Sequence, residues 1–266
     1  MPTPRPSAPP ARPLGSLPTA FPPVRALAIA GAALACFLVA TGLLAPTGSV
    51  FIALVVGELM LLVVPLLATV HGARAPAAIG LVRPAGRHVI AAVAIGVSAW
   101  YVNLRLVNLL PLPDGGVRVL EDLVENPPLP VALLAIALVP AVCEEVLFRG
   151  LLLRALATRL VPAAAIALTA LAFAAYHLSV VQLVPTFTLG LLAGVLAHRA
   201  GSVVPAILAH LLNNGIAVLV SRGELPSLER WLTSGPLVGI LVCAGLVSGG
   251  LVLTLTGPPA RAPRVS

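Results

Sequence analysis

Two adjacent acids, Glu144 and Glu145, stand inside an apolar run and are followed four residues later by Arg149. Adjacent acids in the middle of an apolar helix are hard to explain as packing, because burying a charge without a partner is expensive. Helix geometry separates their roles. Residues four apart lie on one face, so Glu145 and Arg149 can pair. Glu144 points roughly 100° away at ~3.6 residues per turn. Pairing would take up the charge of Glu145 and leave Glu144 alone on a different face. A desolvated, unpaired carboxylate is suited to act as a general base. The competing explanation is a Glu–Arg clamp that ties this helix to a neighbour.

Two further apolar runs carry imidazoles. One holds Phe173-Ala174-Ala175-Tyr176-His177, and a lone histidine there reads by default as a satisfied core residue. The other holds His210-Leu211-Leu212-Asn213-Asn214. His210 and Asn214 are about one turn apart and share a face. Asn213 lies near that face too, so spacing alone does not choose between the amides. Interhelical hydrogen bonding is the structural alternative for these polar residues. Taken together, the runs offer a free acid, two imidazoles and an amide. Peptide hydrolysis needs an activated water and a stabiliser for the oxyanion. Two His with a carboxylate nearby could also hold Zn²⁺ and its activated water. The two His sit on different helices, unlike the HExxH pattern of soluble zinc proteases.

The ordered trio EExxxR (Glu144 to Arg149), FxxxH (Phe173 to His177) and HxxxN (His210 to Asn214) resembles the CPBP family. That family joins type II CAAX prenyl endopeptidases to bacterial bacteriocin-processing and self-immunity proteins, the Abi proteins. The resemblance covers about residues 130–218. It implies an intramembrane endopeptidase that cleaves a membrane-associated or lipid-modified protein or peptide. It also implies Glu144 as catalytic base, with His177 beside it on the water or metal. His210 and Asn214 would bind the metal or hold the oxyanion, and Glu145 and Arg149 would support the site. A zinc bound by His177 and His210 is compatible with the family, as is direct activation of water by glutamate and histidine.

The elements that must position these residues are membrane helices. The chain is 59% hydrophobic and 9% charged, with a mean hydropathy of +1.07. Soluble domains carry roughly 25% charged residues, so the bilayer is the solvent that permits this composition. Eight spans of roughly 20 residues are expected: Val24–Leu44, Val50–Val70, His88–Leu110, Pro130–Leu152, Ala163–Val181, Leu183–Ala197, Val203–Val220 and Leu237–Leu255. The sixth is drawn as the shortest. The expected organisation is an all-α membrane bundle over residues 24–256, with a disordered cytoplasmic tail at 1–23 and a C-terminal tail at 257–266.

Arginine orients the spans. All 16 basic residues are Arg, and the net charge is +7. Arg5, Arg12, Arg25, Arg74, Arg83, Arg87, Arg154, Arg159, Arg199, Arg261 and Arg264 fall in the tails and alternate connections. The opposite connections hold Asp114, Glu121, Asp122, Glu125, Glu224 and Glu229, with only Arg118, Arg222 and Arg230 as cations. The positive-inside rule then puts both termini in the cytoplasm of a plasma-membrane protein. Arginines spaced singly between apolar runs do not make a nucleic-acid surface; the expected partners are membrane lipids and a membrane-associated substrate.

One depth does not fit. If the fifth helix starts near Ala163, His177 lies ~21 Å along it at ~1.5 Å per residue. That is nearer the outer face than Glu144, unless the helices tilt or the fifth protrudes from Arg159. Other polar residues receive structural readings. Glu58 is alone in the second span, with Arg105 as a candidate partner. Asn103, Asn108 and Gln182 are expected to bond between helices. His71, His88 and His198 are expected at the interface, and Cys36, Cys143 and Cys243 are read as small apolar fillers. Two other functions remain open: a non-catalytic immunity or scaffold protein of the same fold, and an ion or proton transporter. A scaffold needs neither the acid nor the imidazoles, and the chain shows no repeated halves of the kind transporters often have.

Overall fold

The computed structural model describes residues 21–47, 50–69, 75–111 and 121–256. His71, Arg74, the expected tails apart from residues 21–23, and most of the connection around Asp114 and Arg118 lie outside them. The described residues are helical and contain no strand. The long helices are α1 Pro23–Leu44, α2 Val50–Thr69, α3 Gly86–Val107, α4 Leu129–Leu156, α5 Pro162–Tyr176, α6 Val180–Ala200, α7 Val204–Ser221 and α9 Pro236–Thr256. The short α8, Pro226–Ser234, joins the last two. Seven of these are long and apolar enough to cross a bilayer. The eighth apolar helix, α5, has 15 residues, or about 22 Å against the ~30 Å of a hydrocarbon core.

This corrects two expected boundaries. The fifth helix does not run to Val181, and it, not the sixth, is the shortest. The chain breaks at His177-Leu178-Ser179, where Leu178 adopts a left-handed φ of 51°. Ser179 then caps α6 by accepting from the Gln182 amide, as a serine at a helix start does. Helix α6 runs on to Ala200 and stops at Gly201, whose φ of 60° is left-handed. Hydropathy passes through the 177–179 break without a signal, because Leu178 and Val180 are as apolar as a span interior.

The true helix ends also remove the depth conflict. Helix α4 continues to Leu156, so Glu144 lies about 18 Å from that end at ~1.5 Å per residue. His177, at the far end of α5, lies about 22 Å from Pro162 on the same side. The two residues are nearly level without any special tilt. Helix α4 is not uniform: wider π turns at Leu133–Leu138 and Val146–Leu153 flank the α-helical Val139–Glu145. Such turns often occur at functional sites.

Alanines carry much of the packing between helices. Helices α1 and α2 pack on α4 and α5 through Ala26, Ala30, Ala33, Leu61, Phe148 and Phe173. Helix α3 packs on α7 and α9 through Ala91, Ala92, Ile95, Ala99 and Ala209. Small residues let helix axes approach where lipid supplies no hydrophobic drive between them. One end of the bundle is cross-linked by polar contacts. Arg154 donates to the carbonyls of Ala78 and Gly201, Ser202 donates to Val82, and the Val203 amide donates to Gly80. Asn103 bonds Pro185 and Thr188 across α3 and α6, as expected for an interface residue. His88 lies at the start of α3, buried beside Arg87.

Gly96 lets α3 approach α7 closely. A Cβ there would meet the Ala209 carbonyl at 2.7 Å and the Leu212 Cβ at 2.8 Å. Neither is the end of a flexible side chain, so a larger residue must push the helices apart. Gly96→Leu is therefore expected to lower the thermal midpoint of the detergent-purified protein, by an overpacking cost of about 1–3 kcal/mol. An unchanged midpoint would show that the α3–α7 contact is softer than the packing implies.

Candidate active site

The site forms where α4, α5 and α7 meet. Glu145 and Arg149 pair at 2.9 Å, and neither side chain has exposed surface. Arg149 also donates to the Gly190 carbonyl at 2.9 Å and stacks over Phe173, 4.4 Å from the ring centroid. One guanidinium thereby ties α4 to α5 and α6. Gly190 makes room for it: a Cβ at 190 would stand 3.1 Å from the Arg149 Nη2 and 3.0 Å from the Ala170 Cβ.

The carboxylate of Glu145 does more than neutralise arginine. His210 Nδ1 lies 3.0 Å from its Oε1. An ionised carboxylate only accepts, so Nδ1 carries the proton and the lone pair sits on Nε2. That nitrogen lies 3.7 Å from Glu144 Oε2. His177 is set by a different device with the same result. Its Nδ1 is 2.9 Å from the Phe173 carbonyl oxygen one turn back. A carbonyl accepts, so the lone pair again falls on Nε2, 3.9 Å from Glu144 Oε1. Two imidazoles on different helices thus turn basic nitrogens toward one carboxylate.

Asn214 completes the cluster. Its Nδ2 donates to the Ile136 carbonyl at 3.0 Å and lies 3.2 Å from His210 Nε2. Asn213 donates to Asn214 Oδ1 at 3.0 Å. Asn214, and not Asn213, lines the cavity over Glu144. This cavity, about 570 Å³ in volume, is also lined by Glu58, His177 and Gln182.

Two residues without an expected chemical role belong to the cluster. The Tyr176 hydroxyl bonds both Glu144 and Glu58, the latter at 3.0 Å. One phenolic proton cannot serve two ionised carboxylates, so the three groups form a hydrogen-bonded unit that shares protons. Glu58 is therefore held by Tyr176 and not by Arg105, the partner considered from sequence. The sequence showed Tyr176 only as the neighbour of His177 and Glu58 only as an isolated acid. No local spacing relates residue 58 to residue 176.

The donor chemistry can be tested against zinc. The Nε2 of His210 stands 3.7 Å from Glu144 Oε2, which has no hydrogen-bond partner, and the Nε2 of His177 stands 3.9 Å from Glu144 Oε1. Ligand atoms about 2.0–2.1 Å from a tetrahedral zinc stand roughly 3.4 Å apart, a little closer than these. No group of three His, Cys, Asp or Glu side chains among the described residues is arranged to hold a metal ion. His177 and His210 are the side chains that would hold a cation here. The same acceptors suit a water, which brings two donors.

Residues 126–216 match the family described as type II CAAX prenyl endopeptidase Rce1-like. The match covers about a third of the chain, and over that stretch the chain is similar to the family. The match spans α4 to most of α7 and so contains Glu144, Glu145, Arg149, His177, His210 and Asn214. It leaves α1 to α3 and α9 outside, and with them Glu58. No curated protein and no solved structure matches the chain.

The two glutamates should separate experimentally. Removing one partner of a buried pair costs about 3–5 kcal/mol. Glu145→Ala and Arg149→Ala should each sharply reduce the yield of monodisperse protein and its melting temperature in detergent. The double variant should lose less than the sum of the two, because the partners share one interaction. Strict additivity in the melting data would show that the pair is not coupled.

Proposed function

We propose that the protein is an intramembrane endopeptidase that hydrolyses a peptide bond in a membrane-associated or lipid-modified protein or peptide. The observation that carries this reading is the convergence of two oriented Nε2 atoms on Glu144, a carboxylate freed from ion pairing because Glu145 takes Arg149. The family match supports a protease of the CAAX type. A type II CAAX prenyl endopeptidase is named for prenylated substrates, and a lipid-modified chain is one class this site would take.

Glu144 acts as general base. It takes a proton from the water held between it and the imidazoles, and the water oxygen attacks the scissile carbonyl carbon. Negative charge then gathers on the carbonyl oxygen. The Asn214 Nδ2 stands on the cavity wall, and the hydrogen it turns to His210 Nε2 would shift to that oxyanion, the kind of donor that stabilises such a charge. As the C–N bond breaks, Glu144 returns the proton to the leaving amine. Tyr176 fixes the carboxylate of Glu144 through its hydroxyl, and Glu145 holds His210 in the tautomer that presents Nε2. Zinc, when bound by His177 and His210, would supply a Lewis acid that lowers the pKa of its water.

A scaffold or immunity role without catalysis would not require Glu145 and the Phe173 carbonyl to set both imidazole tautomers toward one acid. A proton-transporting role would use a chain of titratable groups from face to face. Here the polar groups cluster around one depth, and Leu147, Phe148 and Leu151 bury the next turns of α4.

Glu144→Gln keeps the shape and removes the base. It should melt like the parent in detergent and lose about 10²–10⁴ in cleavage rate. Comparing membrane proteomes of cells carrying the parent or Glu144→Gln would identify the uncleaved protein. That protein, purified, then serves for the rate measurement. Retained cleavage by the variant would remove Glu144 from the role of base.

A further inference from the structure

The cavity over Glu144 has a direction along the bundle. On α4 its lining residues are Ala135, Ile136, Pro140 and Glu144, all from Glu144 toward Leu129. On α2 they are Leu54 and Glu58, the half nearer Val50. On α7 the cavity touches Asn214, which lies farther from Val204 than His210 does. The remaining lining comes from Leu123 and Val124 and from residues 177–182. Every contribution therefore lies toward one end of the bundle. That end carries Glu121, Asp122, Glu125, Glu224 and Glu229. Toward the other end the site is closed by buried Leu147, Phe148 and Leu151, and beyond them by the Arg154 and Ser202 cross-links.

The closed end is the arginine end. Arg83, Arg87, Arg154, Arg159 and Arg199 all belong to it. Basic residues flanking spans are retained on the cytoplasmic side during insertion, whereas acids contribute little to orientation. We infer that the site is entered from the non-cytoplasmic face, so that its substrates are membrane-inserted or lipid-anchored segments presented from outside the cytoplasm. The substrate half of this inference rests on the peptidase reading above; the direction of opening does not. The rim supports a membrane-bound substrate. Leu178 is 80% exposed and Val180 is 70% exposed at the α5–α6 turn, beside the cavity mouth. An apolar lip of this kind suits a chain that arrives along the bilayer.

The test uses thiol accessibility in intact cells. Cys36 is exposed, whereas Cys143 and Cys243 are buried, so Cys36→Ser gives a quiet background. Into it go Leu123→Cys and Ser179→Cys at the cavity, and Thr158→Cys on the α4–α5 connection at the arginine end. The probe is a charged, membrane-impermeant thiol reagent. Leu123→Cys and Ser179→Cys should label in intact cells to the level reached after permeabilisation. Thr158→Cys should label only after permeabilisation. The reverse pattern would overturn the inference, and so would failure of both cavity variants to label even in permeabilised cells. A second arm compares new protein ends in cells carrying the parent or Glu144→Gln. Parent-specific cleavage sites should lie in segments outside the cytoplasm, and sites in cytoplasmic segments would overturn the substrate class. If no site depends on Glu144 while the cavity variants still label from outside, the peptidase reading fails and the direction of opening stands.

Discussion

A guanidinium with no exposed surface inside an apolar bundle must find charge and hydrogen-bond partners within the protein. Arg149 finds a carboxylate on its own helix, a carbonyl on α6 and an aromatic face on α5. The rest of the site depends on this arrangement. It consumes the charge of Glu145, and so Glu144 stands next to a strong acid–base pair without belonging to it. It places the Glu145 oxygen where the Nδ1 of His210 can donate to it. It also requires Gly190, because a side chain there would meet both Ala170 and the guanidinium. A motif that reads as six residues on one helix is, in three dimensions, a joint between three helices.

The two histidines reach the same state by unlike routes. His210 is oriented by a carboxylate from another helix, and His177 by the carbonyl four residues before it. The second device sits at the end of α5, where the imidazole turns back to a carbonyl of its own last turn. The chain then turns at Leu178 in a left-handed conformation that costs a non-glycine residue about 1–2 kcal/mol. A break that is unfavourable locally is thus placed beside the imidazole it serves, the pattern in which strain at a site is offset by packing elsewhere.

Much of this was legible in the residues alone. The pairing of Glu145 with Arg149 follows from spacing on one helix, and so does the divergence of Glu144. The depth of most spans follows from hydropathy. What could not be read is what depends on non-local contact or on backbone conformation. Tyr176 and Glu58 are linked over 118 positions, and Glu58 lies outside the family match. The end of α5 is invisible because Leu178, Ser179 and Val180 do not differ in polarity from many helix interiors. Placing α4's end at Leu152 and not at Leu156 leaves Glu144 too shallow and makes the depth conflict with His177. The correct ends are set by Ser179 capping α6 and by Arg154 bonding the carbonyls of Ala78 and Gly201.

The short α5 connects the chemistry to access. A helix of about 22 Å cannot match neighbours of about 30 Å at both ends. Its Pro162 end follows directly on α4 at the arginine side, so its His177 end stops inside the bundle. The acids and the amide of the site lie at that depth. The space left beyond His177 is bounded by the α5–α6 turn, the start of α4 and the short segment holding Leu123 and Val124. Site and entrance are then consequences of one feature. The helix that delivers the imidazole also ends early enough to leave the cavity open above it. A longer α5 would carry His177 on its side and fill that space with its own next turn.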